Sequence, residues 1–316
     1  MGLFYTAMER AESVPVDAET ATPAAPAPAA APAVATTAAP APLATWEQAA
    51  QVDLAGFPLP VVPAPAAAAP ELVRQVRLNA AKLGVIAPVA DEGEDFTGPV
   101  AAAREQYRIL RTRILAAMRA QGLRNLLITS ASAGEGKTMV AANLALQLSS
   151  LREGRILLVD ADLRRAGLTA GLEPAPREGL GDYLRGRVRL QDVLWEVDRW
   201  LAILPGGALA DQATELLAGQ RMPLLLRQAQ EEFDLVLLDG APIGPVADSR
   251  ILAQLTDASI LVTRYGVTAS DGLAQVAALL RPGLLGTVLN GAPGLERKGY
   301  GYYAHRQPKK EGRPQA

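Results

Sequence analysis

The 316-residue sequence predicts a doubly wound α/β domain with a mostly parallel sheet, and three observations carry the prediction. Short apolar runs recur at Leu126 to Thr129, Ile156 to Val159, Leu201 to Leu204, Leu235 to Leu238, Ile260 to Val262 and Leu285 to Leu289. Most are separated by segments with helical apolar spacing, such as Val140, Leu144, Leu148 and Leu151. The polar residues able to do chemistry gather at the carboxyl ends of these runs. Strands covered on both faces read as continuous apolar runs, and parallel neighbours need helical crossovers.

The elements follow in order. Residues 1 to 70 hold 12 of the 24 prolines, many in Ala-Pro alternation, and one basic residue, Arg10. Proline fixes φ and donates no hydrogen bond, so residues 1–99 are expected to be an Ala/Pro-rich, largely disordered region. Two helical islands are expected within it, at Thr6 to Glu12 and Leu72 to Leu83, each too short to fold unless docked. A helix is expected over Ala102 to Ala120, with Tyr107, Leu110, Ile114 and Met118 on one stripe. It opens the domain assigned to residues 100–294. Residues 295–316 are expected to be a flexible basic tail, because interleaved glycines and charges cannot build a core.

Composition excludes several chemistries. Lys plus Arg is 31 against 33 for Asp plus Glu, a net charge of −2 that gives no footprint for nucleic acid. With no Cys and one His, disulfides, Cys nucleophiles and Cys/His zinc sites are ruled out. The lone His305 lies in the tail, where a packed Ser-His-Asp triad is not expected. The sequence contains no uncharged apolar run of membrane-spanning length and no signal-peptide pattern, so a cytoplasmic protein is expected.

The first apolar run leads into Ser130-Ala131-Ser132-Ala133-Gly134-Glu135-Gly136-Lys137-Thr138, and a helix follows. Strand, Gly-rich loop, Lys-Thr and helix in that order form a phosphate-binding loop, in which backbone N–H groups wrap an anion. Lys137 is placed for the β/γ-phosphates of ATP and the Thr138 hydroxyl for Mg²⁺. Ala133, Gly134, Glu135, Gly136, Lys137, Thr138 and Met139 are the candidate nucleotide-binding residues. The run at 156–159 ends in Asp160-Ala161-Asp162 and the run at 235–238 in Asp239. Ligands of open α/β sheets bind beyond such strand ends, so the three carboxylates are expected to converge near a metal held at Thr138. Asp160 and Asp239 join Thr138 as candidate metal ligands, and Lys137, Asp160 and Asp162 are the candidate catalytic residues.

Over Ala102 to Tyr303 the sequence resembles the bacterial tyrosine kinases (BY-kinases) of capsule and exopolysaccharide assembly. The resemblance rests on Gly134 to Thr138, on Asp160-Ala161-Asp162-Leu163-Arg164 after its apolar strand, and on the strand ending at Asp239. Gly179 to Leu184, Leu204-Pro205-Gly206-Gly207 and Thr214 to Leu217 match the family's connecting motifs. Thr6 to Ala11 and Thr214 to Met222 are similar to the branch found beside exosortase systems. The resemblance implies a P-loop NTPase fold of the partition-ATPase type and an ATP- and Mg²⁺-dependent tyrosine autokinase. It implies autophosphorylation at Tyr300, Tyr302 and Tyr303, oligomerisation through Glu105, Arg108 and Arg111, and an adenine contact at Asn290. It also implies a homo-oligomer and a membrane-spanning co-polymerase activator. Because no spanning segment is present, that activator is expected to be a separate chain that recruits this one to the inner face of the membrane.

The sequence departs from the family at Ala133, where proline is usual, and at Gly240-Ala241-Pro242, where Thr or Ser, Pro, Pro is usual. Two other readings stay open on the residues alone: a partition- or division-site ATPase switch, and a non-catalytic scaffold of the polysaccharide machinery. Partition ATPases carry an extra Lys early in the loop, where this chain has Ser132.

Overall fold

The computed structural model describes residues 4–5, 74–86, 99–280 and 283–293. The Thr6 to Glu12 island, the tail tyrosines and most of the Ala/Pro-rich region lie outside them. The strands are β1 (Phe4–Tyr5), β2 (Arg74–Gln75), β3 (Arg77–Leu78), β4 (Asn125–Ser130), β5 (Ile156–Asp160) and β6 (Leu172–Glu173). They continue with β7 (Trp195–Asp198), β8 (Leu201–Leu204), β9 (Leu235–Asp239), β10 (Ala258–Arg264) and β11 (Leu284–Asn290). The helices are α1 (Ala80–Leu83), α2 (Pro99–Gln121), α3 (Lys137–Ser149), α4 (Leu180–Leu184), α5 (Leu190–Val193), α6 (Ala213–Ala218), α7 (Arg221–Glu232), α8 (Asp248–Leu255) and α9 (Ser270–Ala278).

The main sheet runs β1-β11-β10-β4-β9-β5-β8-β7-β2, while β3 and β6 form a separate antiparallel pair. From β11 to β8 every neighbour is parallel. β1 and β7 pair antiparallel at the two flanks. Both faces are covered, which explains the unbroken apolar runs. Leu126, Ile128, Leu158, Leu237, Ile260 and Val262 pack on the side of α2 and α3, against Tyr107, Ile114, Val140 and Leu144. Their neighbours Leu127, Leu157, Val159, Val236, Leu238 and Leu261 pack against Leu180, Tyr183, Leu217, Met222, Leu225 and Leu252 of α4, α6, α7 and α8. Successive side chains alternate faces, so two cores share one sheet.

The six expected strands all form, some extended at their ends. β5 and β9 each continue by one residue, so Asp160 and Asp239 enter the ladder as direct register partners. The helix expected at Leu72 to Leu83 is replaced, over its described residues, by β2, β3 and the one-turn α1. Asn79 caps α1 by accepting the Lys82 N–H at 2.9 Å, and Gly84, at φ 62°, ends it one turn later. Upstream, sheet edges compete for the backbone: β2 pairs with β7, β3 pairs with β6, and Val76 N–H donates to Glu196 O at 2.9 Å. Tertiary pairing here overrides helical spacing. Val76, Leu83 and Ile86 are buried in the core beneath α2 and α3, so the segment straps onto the domain. Among the described residues no helix is long and apolar enough to cross a membrane.

Each face of the sheet should be separately costly to disturb. Leu157→Ala and Leu158→Ala, whose side chains point to opposite cores, are each expected to lower unfolding free energy in urea by about 2–5 kcal/mol, while Leu209→Ala, at an exposed position, stays within about 0.5 kcal/mol.

Candidate functional site

β4 is flanked by β10 and β9, and the loop after it carries the glycines. Gly134 and Gly136 adopt φ of 81° and 95°, a left-handed backbone that other residues rarely accept. At Gly136 a Cβ would also lie 2.0 Å from Asn290 Nδ2. The chain turns tightly there and α3 starts at Lys137 with no side-chain cap, leaving its first N–H groups facing the loop. That is the geometry of an anion site.

The loop is braced from one side by β10 and β11. Glu135 is fully buried and its carboxylate accepts from Ser132 N–H at 2.8 Å and from the Thr268 hydroxyl. Asn290 Nδ2 donates to the Glu135 carbonyl at 2.8 Å, and Arg264 Nη1 to the Gly134 carbonyl at 3.1 Å. Glu135 and Asn290, expected to touch nucleotide, thus also hold the shape of the loop, Asn290 through an amide hydrogen spent on its backbone. Ala133 is exposed on the loop, and Met139 lies against Gly84 of the strap.

Beyond the strand ends, Lys137 Nζ lies 2.9 Å from Asp162 Oδ2 and 3.6 Å from Asp239 Oδ1. It is also 3.4 Å from Thr138 Oγ1. Asp160, Asp162 and Asp239 are almost completely buried. Asp160 Oδ2 accepts the Thr169 N–H at 2.8 Å and the Thr169 hydroxyl at 2.6 Å. Burial, with the charge of Asp239 alongside, pushes the Asp160 carboxyl up to about 7, and burial likewise raises Asp239. Burial alone would lower the Lys137 ammonium, but the attraction of Asp239, Asp162 and Asp160 outweighs it and raises its pKa.

The expected convergence of three carboxylates on a metal needs correction. Asp162 is committed to Lys137, and one oxygen of Asp160 to Thr169. Among the described residues no group of three or more acidic or His side chains could enclose a metal by itself. What remains is a partial donor set: Asp239 Oδ2 is buried without a hydrogen-bond partner and the Thr138 hydroxyl lies beside that carboxylate, while Asp160 Oδ1, also buried and unpartnered, stays open in the same cluster. Mg²⁺ requires oxygen ligands and keeps water and substrate phosphates among them, so these residues fit an ion delivered with a nucleotide.

No motif or spacing in the sequence points to Thr169 or Asp248. Arg164 of the Asp-x-Asp-x-Arg motif donates from Nε to buried Asp248 Oδ2 at 2.8 Å and from Nη2 to Thr214 Oγ1 at 2.9 Å. These partners lie 84 and 50 positions away, beyond any local pattern. On α2, Glu105 and Arg108 form an exposed pair at 3.3 Å. Arg111, grouped with them for oligomerisation, turns Nη1 to the Gln147 carbonyl of α3 at 3.1 Å. Its six-residue offset from Glu105 carries it round the helix toward the core. Tyr300, Tyr302 and Tyr303 lie outside the described residues.

No protein-family model matches the chain. Among curated proteins it is 34% identical over 212 residues to the tyrosine-protein kinase YwqD of Bacillus subtilis, covering 66% of this chain and 89% of that protein. It is 39% identical over 171 residues to the succinoglycan biosynthesis transport protein ExoP of Rhizobium meliloti, covering 52% of this chain but only 22% of ExoP. Among solved structures, the kinase domain of Escherichia coli tyrosine kinase ETK matches with a TM-score of 0.56 and 30% identity, over 60% of this chain and 76% of that domain. With the phosphate loop, the paired strand-end aspartates and the parallel sheet in place, these similarities show that the chain belongs to the bacterial tyrosine kinases.

Proposed function

We propose that this chain is an ATP- and Mg²⁺-dependent protein tyrosine autokinase that regulates exopolysaccharide or capsule polymerisation or export. The observation that carries the reading is the Lys137 ammonium held between Asp162 and Asp239 at the mouth of the phosphate loop, with an unpartnered oxygen of Asp160 in the same cluster. The loop N–H groups bind and orient the phosphates. Lys137 neutralises charge on the transferring phosphoryl group, once phosphates compete with the carboxylates for it. Thr138 and Asp239 would hold Mg²⁺, with Asp160 in the same cluster, and the ion would supply charge neutralisation for the phosphates. Asp160 orients the incoming tyrosine hydroxyl, and Asp162 keeps Lys137 in place. Asn290, beside the loop, contacts the adenine.

The acceptor tyrosines are Tyr300, Tyr302 and Tyr303, on a tail from Glu296 to Ala316 with six basic and two acidic residues. Each phosphotyrosine adds about −1.5 to −2, so full modification cancels the +4 of that tail and weakens its attraction to a neighbour's acidic site. Glu105 and Arg108 serve contacts between subunits in a homo-oligomer, with Arg111 supporting α2 from behind. A membrane-spanning co-polymerase on a separate chain is the activator, which brings the cytoplasmic kinase to the inner membrane face. The names of YwqD and ExoP support this reading, and Ser132 in place of an early loop Lys disfavours the partition-ATPase alternative.

Three outcomes test it. Lys137→Met is expected to abolish phosphotyrosine on immunoblots after incubation with ATP and Mg²⁺. Leaving buried carboxylates unpaired, it should also cost the nucleotide-free protein about 3–5 kcal/mol in urea unfolding. Replacing Tyr300, Tyr302 and Tyr303 together by Phe should leave ATP binding intact and remove almost all phosphotyrosine; persistent labelling would move the acceptor site elsewhere. The third concerns pH. The carboxyl of Asp160 titrates at about 7 in the folded protein against 3.8 for the ordinary group, so the folded state holds an extra proton between those values. Stability from this group is therefore present at low pH and lost as pH rises through about 7. Asp160→Asn should stabilise the nucleotide-free protein more at pH 8 than at pH 5, by at least about 1.4 kcal/mol, the worth of one pK unit.

A further inference from the structure

Thr169 opens the short 3-10 turn Thr169–Gly171, seven residues beyond Asp162. Its N–H and hydroxyl both donate to the same oxygen of Asp160, at 2.8 and 2.6 Å, and its hydroxyl oxygen accepts the Gly206 N–H at 2.8 Å. Gly206 belongs to the loop after β8, where a Cβ would lie 3.5 Å from Asp160 Cγ. The hydroxyl thus joins two segments around one carboxylate, in a place where Thr169 is 7% exposed and Asp160 fully buried. Two donors on one oxygen fix the rotation of the carboxylate and leave the other, Oδ1, without a partner among the described residues.

The turn is itself held in position. Ala170 and Gly171 donate to the Ala166 and Leu168 carbonyls at 2.9 Å each. From outside, Asn79 N–H donates to the Gly171 carbonyl at 2.8 Å, and Leu83 lies so close that a Cβ on Gly171 would meet it at 2.3 Å. The same stretch passes the phosphate loop, since a Cβ on Gly167 would lie 3.5 Å from Thr138 Oγ1. A hydroxyl with a fixed donor behind it and a carboxylate before it is oriented in one sense only: it accepts from Gly206 and donates to Asp160.

We propose that Thr169 is a positioning residue for phosphoryl transfer, whose hydroxyl, anchored by Gly206, clamps Asp160 so that Oδ1 is presented to the acceptor tyrosine. The inference rests on the assignment of Asp160 to that hydroxyl. In the step so arranged, the phenolic oxygen bonds to the γ-phosphorus and the bond to the β–γ bridging oxygen breaks. ADP leaves with that electron pair, and the phenolic proton passes through Asp160 Oδ1 to water. The carboxylate must already face the hydroxyl when the chain of contacts closes. Val in place of Thr169 keeps the shape and removes the donor, whereas Ser keeps the donor and removes a methyl.

The experiment uses the full chain, measuring initial rates of phosphotyrosine formation across an ATP titration at saturating Mg²⁺. Binding of a fluorescent ATP analogue and urea unfolding are measured in parallel. Thr169→Val is expected to lower the maximal rate about tenfold or more, with half-saturating ATP and analogue affinity within about twofold, and Thr169→Ser to restore the rate to within about threefold. A Val variant with a normal maximal rate, or one that loses only nucleotide affinity, overturns the clamp. So does a folded Ser variant as slow as Val, because the methyl rather than the hydroxyl would then matter. If Thr169→Val does not fold, Thr169→Ala against Thr169→Ser makes the same comparison. Asp160→Asn separates the two levels: full activity in that variant removes Asp160 from the reaction altogether, whereas an inactive Asp160→Asn beside a normal Thr169→Val rejects the clamp alone.

Discussion

The Lys137 ammonium, set among the buried carboxylates Asp160, Asp162 and Asp239, is the interaction on which the rest of the site depends. Unpaired buried charge is among the most expensive things a fold can contain. Here the negative groups outnumber the cation, and burial, with the charge of the neighbouring carboxylates added to it, raises the carboxyl pKa values at Asp160 and Asp239. Such a cluster is poised to exchange partners. Under the proposed function, arrival of a phosphate chain with a divalent ion would draw Lys137 toward the phosphates and supply positive charge to the carboxylates that it leaves.

The sheet makes this crowding possible. Asp160 and Asp239 are paired residues of adjacent parallel strands, and the phosphate loop leaves the next strand over, β4. Parallel strands all point their carboxyl ends the same way, so three separate crossovers return the chain to one rim. Two cores, one on each face, keep those strand ends in register. The loop itself is kept open from the β10 and β11 side through Glu135, Asn290, Arg264 and Thr268.

Two contacts link the site to more distant parts of the chain. Arg164, next to the acidic motif, reaches Asp248 at the start of α8 and Thr214 in α6, tying the motif to helices on the far face of the sheet. The strap at residues 74–86 closes over the other side, with Ile86 N–H donating to Asn143 Oδ1 of α3 at 2.7 Å and Leu83 pressed against Gly171. The chain late in the Ala/Pro-rich region thus touches both the phosphate-loop helix and the turn that holds Asp160.

By itself the sequence determined the fold class, the six parallel strands and the phosphate loop, because buried parallel strands leave continuous apolar runs and an anion loop needs Gly, Lys and Thr at adjacent positions. It also placed Asp160, Asp162 and Asp239 at strand ends, since each follows its run directly. Only the tertiary structure decided how those carboxylates divide their partners, that Arg111 turns inward to α3, and that Asn290 braces the loop. It alone revealed Thr169 and Asp248, whose meaning lies in contacts with residues far from them in sequence or across a turn with no periodic pattern. The strap shows the same limit from the other side. Helical spacing over Leu72 to Leu83 was a local signal, and vacant sheet edges at β6 and β7 offered the backbone better partners than its own neighbours could.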